Sequence, residues 1–120
     1  MKQRRMAAEE LAKFFAVLAH PLRVLIVEEL NDKEHTVNEL HTTLNVPHAS
    51  VSQHLAILRN NRIVVERKQG RHVYYHLRQP ELCKLVIECF MFISPDPLES
   101  EKLLSAIESA RHSWDSISAV

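Results

Sequence analysis

The chain has 120 residues, 46% hydrophobic and 25% charged, with five prolines and a single glycine. That length suits one domain with a real core, and one glycine excludes the glycine-rich phosphate loops and nucleophile elbows on which many nucleotide enzymes and hydrolases depend. Fifteen basic residues balance fifteen acidic ones, so overall charge by itself selects neither nucleic acid nor membrane as a partner.

The N-terminal third reads as two helices. Leu11, Phe14, Phe15 and Leu18 follow the three-and-four spacing of a buried stripe, predicting a helix over about 6–19. Pro21 restarts the chain in the first turn of a second helix, whose apolar face is Leu22, Leu25, Ile26 and Leu30. The longest apolar stretch, Phe14 to Val27, is broken by His20, Pro21 and Arg23, so no run of about 20 apolar residues is available to cross a membrane. Acidic Glu9 and Glu10 stand where a secretory leader would continue its apolar run. A cytoplasmic protein without membrane attachment is expected, and two cysteines cannot build a disulfide framework.

Thr36 and Glu39 have capping-box spacing: the hydroxyl accepts an orphan amide proton and the carboxylate reaches back. A short third helix with Val37, Leu40 and Leu44 inward stops near Asn45 and turns tightly through Val46 and Pro47. The next helix, about 48–60, sets Val51, Leu55 and Leu58 on one face and leaves Ala49, Ser52, Gln53 and Ala56 pointing away. Beyond Asn61 the period changes to alternation, Ile63 and Val65 and then Val73, Tyr75 and Leu77, around Lys68-Gln69-Gly70-Arg71. A hairpin with a charged tip follows, and the lone glycine lies where a positive backbone dihedral is most often needed. From His48 to Arg78 six basic residues (Arg59, Arg62, Arg67, Lys68, Arg71, Arg78) face one acid, Glu66, a net +5, whereas residues 79–120 carry three bases and seven acids, a net −4.

Pro80 opens a helix over about 80–94 with Leu82, Leu85, Val86, Cys89, Phe90 and Ile93 on a stripe too apolar to leave wet, and Pro95-Asp96-Pro97 ends it. Leu103, Ile107, Ala110, Trp114 and Ile117 predict a last helix over about 98–118. The expected fold is mainly α with a small two-stranded antiparallel hairpin: one winged helix-turn-helix domain over residues 1–120, its DNA-binding core at about 36–78, with further helices at 6–19, 80–94 and 98–118.

That order of elements has a physical logic. A helix entering the roughly 12 Å major groove must expose short polar side chains, and Ser52 and Gln53, flanked by His48, Ser50 and His54, supply donors and acceptors. A wing at about 66–73 needs charge more than shape, and Lys68, Arg71 and His72 suit phosphates or a minor groove. No Cys-His, Ser-His or paired-carboxylate arrangement recurs at a spacing that brings its members together, so an enzyme is not expected.

Ser52-Gln53-His54-Leu55-Ala56-Ile57-Leu58-Arg59, followed by Ile63-Val64 and Arg67-Lys68-Gln69-Gly70-Arg71-His72-Val73-Tyr74-Tyr75, resembles the ArsR/SmtB family of bacterial metal-sensing and thiol-sensing repressors, its zinc-sensor branch above all in the wing. The resemblance covers roughly residues 10–93. It implies a homodimeric repressor, with the helices at 6–19, 80–94 and 98–118 serving dimerisation, that binds a double-stranded operator and leaves it when a signal arrives; Arg62 stands where many members have glycine. The family's metal ligands are absent. Where it writes Glu-Leu-Cys-x-Cys, this chain has Glu39-Leu40-His41-Thr42-Thr43, and at the positions of the dimer-helix site it has Gln79, Glu81, Phe92 and Pro95, of which Glu81 alone can ligate.

Eight histidines include no i, i+4 pair within a predicted helix, and His72 and His76 share only a strand period, so neither a metal nor another cofactor is expected. Cys83 and Cys89 are the candidate redox residues; six positions apart on one helix they project about 120° from each other, with Cys89 expected on the buried stripe. Two alternatives remain open: a thiol-redox sensor acting through these cysteines, and a winged-helix dimer used purely as a protein-interaction module, which the zero net charge and vacant ligand positions would suit.

Overall fold

His20 and Pro21 divide the first two helices by simple chemistry: the imidazole Nδ1 accepts the amide of Leu22 at 3.1 Å, and proline fills the first helical position, where no donor is needed. The computed structural model describes residues 1–31 and 33–93, with positions 102, 105, 106 and 109 beyond them. Helices α1 (Lys2–Leu18), α2 (Pro21–Glu29), α3 (Val37–Leu44) and α4 (His48–Asn60) are followed by strands β1 (Val64–Gln69) and β2 (His72–Leu77). Helix α5 (Glu81–Cys89) then ends in a 3-10 turn, Phe90–Phe92. The result is the expected winged helix-turn-helix, mainly α with one antiparallel hairpin. The 98–118 helix lies outside the continuously described residues; positions 102, 105, 106 and 109 are helical.

Leu22, Ile26, Val27 and Leu30 of the α2 segment, Leu40 of α3, and Val51, Leu55 and Leu58 of α4 form the centre of the core. Val64 and Leu77 close it from the hairpin, and Cys83 and Ile87 from α5. Burying each large aliphatic side chain contributes roughly 1.5–3 kcal/mol, which is what makes such short helices persist.

Three local features decide the connections. Thr36 Oγ1 accepts the Glu39 amide at 3.1 Å, but the Glu39 carboxylate departs from the expected capping box and pairs with His35 Nδ1 at 2.7 Å. Asn45 ends α3 in the left-handed region, φ 53°, a conformation Asn tolerates better than most residues. The hairpin pairs Gln69 with His72, leaving Gly70 and Arg71 as a two-residue loop in which Gly70 supplies φ 61°.

Arg62 also has φ 59°, just after α4, a left-handed conformation that glycine adopts without strain. A β-branched residue should pay about 1–2 kcal/mol at this position. Arg62→Val is therefore expected to lower the urea midpoint, while Arg62→Gly holds or raises it; equal loss in both would mean that the Arg62 side chain, rather than its backbone, matters.

In the single chain two apolar stripes are left uncovered, for one reason. Helix α1 has no buried residue: Leu11 and Phe15 are each 53% exposed, and Phe14, Val17 and Leu18 only rest against the core. In α5 the residues buried in the core are Cys83 and Ile87, so the predicted stripe is turned partly away from it, with Leu85, Cys89 and Ile93 exposed and Leu82, Val86 and Phe90 half-buried against the core. Cys89, expected on the buried stripe, is on the surface, and Cys83 is the buried thiol, 1% exposed. A 3.6-residue period identifies an apolar face without saying which chain covers it.

Candidate nucleic-acid interface

Helix α4 is two-sided. Val51, Leu55 and Leu58 are at most 1% exposed, while His48, Ala49, Ser52 and Gln53 face solvent and Ser50 is half-buried. The tight Asn45-Val46-Pro47 connection holds α4 against α3, helped by His41, whose Nδ1 lies 2.5 Å from the Val46 carbonyl oxygen and must donate to it. Ser52 and Gln53 make no side-chain hydrogen bond to another described residue. Their donors and acceptors are therefore available to an external partner.

His54 is different from its neighbours. It is half-buried, with Nδ1 accepting Arg23 Nε at 3.1 Å, and its ring centroid lies 4.2 Å from that of His20. Arg23 also donates to the Val17 carbonyl at 2.8 Å, so one guanidinium ties together the end of α1, the start of α2 and the middle of α4. Burial first, then the nearby His20 and Arg23, pushes the His54 imidazole below its ordinary pKa. Its Nδ1 is thus already occupied, unlike the side chains of Ser52 and Gln53 that it flanks. The contact with Arg23 of α2 leaves no trace in local periodicity.

In the wing, Lys68, Arg71 and His72 are all exposed, with Arg71 at the tip. The segment's net +5 is not all free charge. Arg59 pairs with Glu66 at 3.2 Å, and Arg67 makes a two-pronged pair with Glu34, its Nε 3.0 Å from Oε2. Among the described residues, Arg62, Lys68, Arg71 and Arg78 have no carboxylate partner. The Arg67 hydrogen bonds hold the Glu34 carboxyl below the usual carboxylate range. Sequence reasoning missed this pair because its members are 33 residues apart.

The candidate thiols do not meet within a chain. Six residues along α5 separate their Cα atoms by about 9 Å of helical rise, beyond the span of a disulfide. Cys83 Sγ lies 3.9 Å from the Glu28 carbonyl oxygen. Cys89 instead lines an apolar groove of about 240 Å³ with Phe14, Phe15, Leu18, Leu85 and Phe90 among its walls. Among the described residues no three His, Cys, Asp or Glu side chains group to hold a metal, and no helix is long and apolar enough to cross a membrane.

Comparison with known proteins places this geometry in a family. Residues 20–65 match the model of the bacterial regulatory protein, arsR family. The HTH-type transcriptional regulator KmtR of Mycobacterium tuberculosis is 42% identical over 74 residues, 62% of this chain and 57% of that protein. A transcriptional repressor SmtB homolog of Synechocystis is 37% identical over 81 residues, 68% of this chain and 61% of its own length. The chain thus spans about three-fifths of these two relatives. The structure of HlyU from Vibrio cholerae superimposes with a TM-score of 0.61 at 30% identity, covering 77% of this chain and 97% of that one. With the helix-turn-helix matched in sequence and the winged fold matched over almost the whole of a solved relative, the chain belongs to the arsR family of bacterial regulatory proteins.

Proposed function

We propose that the chain is a homodimeric transcriptional repressor that binds a double-stranded operator, with α4 in the major groove and the wing on the flanking backbone. The observation that carries this reading is the division of α4 into a fully buried apolar face and a small polar face whose Ser52 and Gln53 have no side-chain hydrogen-bond partner among the described residues. His48 and Ser50 flank them at the N-terminal end, the part of a recognition helix that reaches base edges. Lys68, Arg71 and His72 supply backbone contacts. The apolar faces of α1 and α5 support dimerisation, since a helix of 17 residues that buries none of them gains little stability on its own. A dimer would set two α4 helices about 34 Å apart, one turn of DNA, and any signal that shifts that spacing weakens one half-site by a coupling of about 1–3 kcal/mol.

Salt dependence tests it. Binding to a palindromic duplex selected from a random pool is expected to weaken steeply with ionic strength, and Lys68→Ala or Arg71→Ala should each reduce the slope of log K against log salt by about one. A salt-independent affinity, or no duplex selected at all, would favour a winged-helix dimer used for protein interactions.

A further inference from the structure

We propose that Arg67 is a positioning residue of the wing and not one of its phosphate contacts: it straps the β-hairpin to the loop between α2 and α3 and so sets where Lys68 and Arg71 lie. This rests on the DNA-binding reading above. The geometry is a lateral bridge across one strand. Arg67 on β1 is paired with Tyr74 on β2, and its guanidinium carbon lies 4.9 Å from the centroid of the Tyr74 ring. Beyond Tyr74, on the far side of β2, the same guanidinium reaches both carboxylate oxygens of Glu34. The next residue, His35, docks on β2 through two backbone hydrogen bonds with Tyr75, N to O at 3.0 Å and O to N at 2.8 Å.

Strands in register stand about 4.8 Å apart, so β1 and the segment beyond β2 lie close to 10 Å apart, a gap that the Arg67 and Glu34 side chains bridge together by meeting over Tyr74. A lysine has the charge but neither the planar fork nor the stacking face that this path uses. The remaining Nη1 donates to Gln69 Oε1 at 2.8 Å. Three of the five N–H donors of Arg67 are thereby committed within the chain, and its charge is neutralised by Glu34. Lys68 and Arg71 have no carboxylate partner among the described residues and lie one and four residues further along. The wing thus divides its cations between one that fixes the hairpin and two that remain available to DNA.

The test uses the whole chain and a duplex of about 30 base pairs, three turns, selected from a random pool with the native protein. Arg67→Met and Glu34→Ala are each expected to weaken binding about three- to tenfold, with the double variant no weaker than either single one, while the salt slope stays at the native value. Lys68→Ala is the control that lowers the slope. A slope reduced by about one in Arg67→Met, with affinity unchanged or tighter in Glu34→Ala, would make Arg67 an ordinary phosphate contact and overturn the proposal. A second arm needs no DNA: in the free chain, amide exchange across residues 66–76 should quicken several-fold in Glu34→Ala relative to that of α4. Unchanged exchange there would remove the strap even if the native chain bound DNA as expected. Loss of duplex binding by the native chain would instead refute the reading on which the strap's purpose rests.

Discussion

Replacing Phe15 or Leu85 by glutamate is expected to yield a folded monomer that no longer binds its duplex at concentrations where the native chain is saturated. Both side chains are about half exposed in the single chain, 53% and 46%, so neither substitution opens a large cavity in the protomer's core. Both also line the groove between α1 and α5, where exposed Cys89 and half-buried Phe90 extend the apolar surface. Met91 and Phe92 carry it further, at 67% and 90% exposure. A two-fold interface contains every residue twice. Two carboxylates forced into an apolar contact at about 2 kcal/mol or more each raise the dissociation constant of the dimer about a thousandfold. The DNA effect follows from the dimer: one half-site retains one recognition helix and one wing, and loses the second set of phosphate contacts. Light scattering of the eluting protein gives the mass and circular dichroism the helix content. A dimer of native mass in both variants would show that this face serves something else.

The same face shows where sequence reasoning stops. The stripe Leu11, Phe14, Phe15 and Leu18 and the stripe Leu82, Leu85, Val86, Cys89, Phe90 and Ile93 were legible as apolar, since period alone reveals them. Burial was not, because α5 has a second apolar face, Cys83 and Ile87, that the protomer uses for its own core. Spacing cannot rank two such faces, and so Cys83 rather than Cys89 is the buried thiol. In α4 the opposite holds. Only one face is apolar, so the exposure of Ser52 and Gln53 followed directly from Val51, Leu55 and Leu58. The His54–Arg23 contact and the Glu34–Arg67 pair escaped notice for a shared reason: their members lie 31 and 33 residues apart, and single-sequence patterns are blind at that range. Gly70 was legible because a two-residue hairpin requires a positive φ, whereas Arg62 adopts one with a residue that gives no hint of it.

Gln53→Ala should separate sequence recognition from general affinity. A glutamine amide at a groove edge makes a two-pronged contact, most favourably with adenine, worth about 1–3 kcal/mol of discrimination against the wrong base pair. Gln53 is exposed at the centre of the outward face, and its neighbour Ser52 adds a single adaptable hydroxyl. The expected result is a ten- to hundredfold loss, about 1.4–2.7 kcal/mol, on the selected duplex, and little change on a scrambled duplex of the same length, whose binding comes from the wing and backbone contacts. The salt slope should hold, since no cation is removed. Ser52→Ala should cost less, because a hydroxyl makes one contact where the amide makes two. Fluorescence anisotropy on both duplexes at fixed ionic strength reads the ratio directly. Equal losses on the two duplexes would mean that Gln53 supports the helix's approach to the backbone without reading bases, and the specificity would then have to come from Ser52, His48 or the shape of the DNA itself.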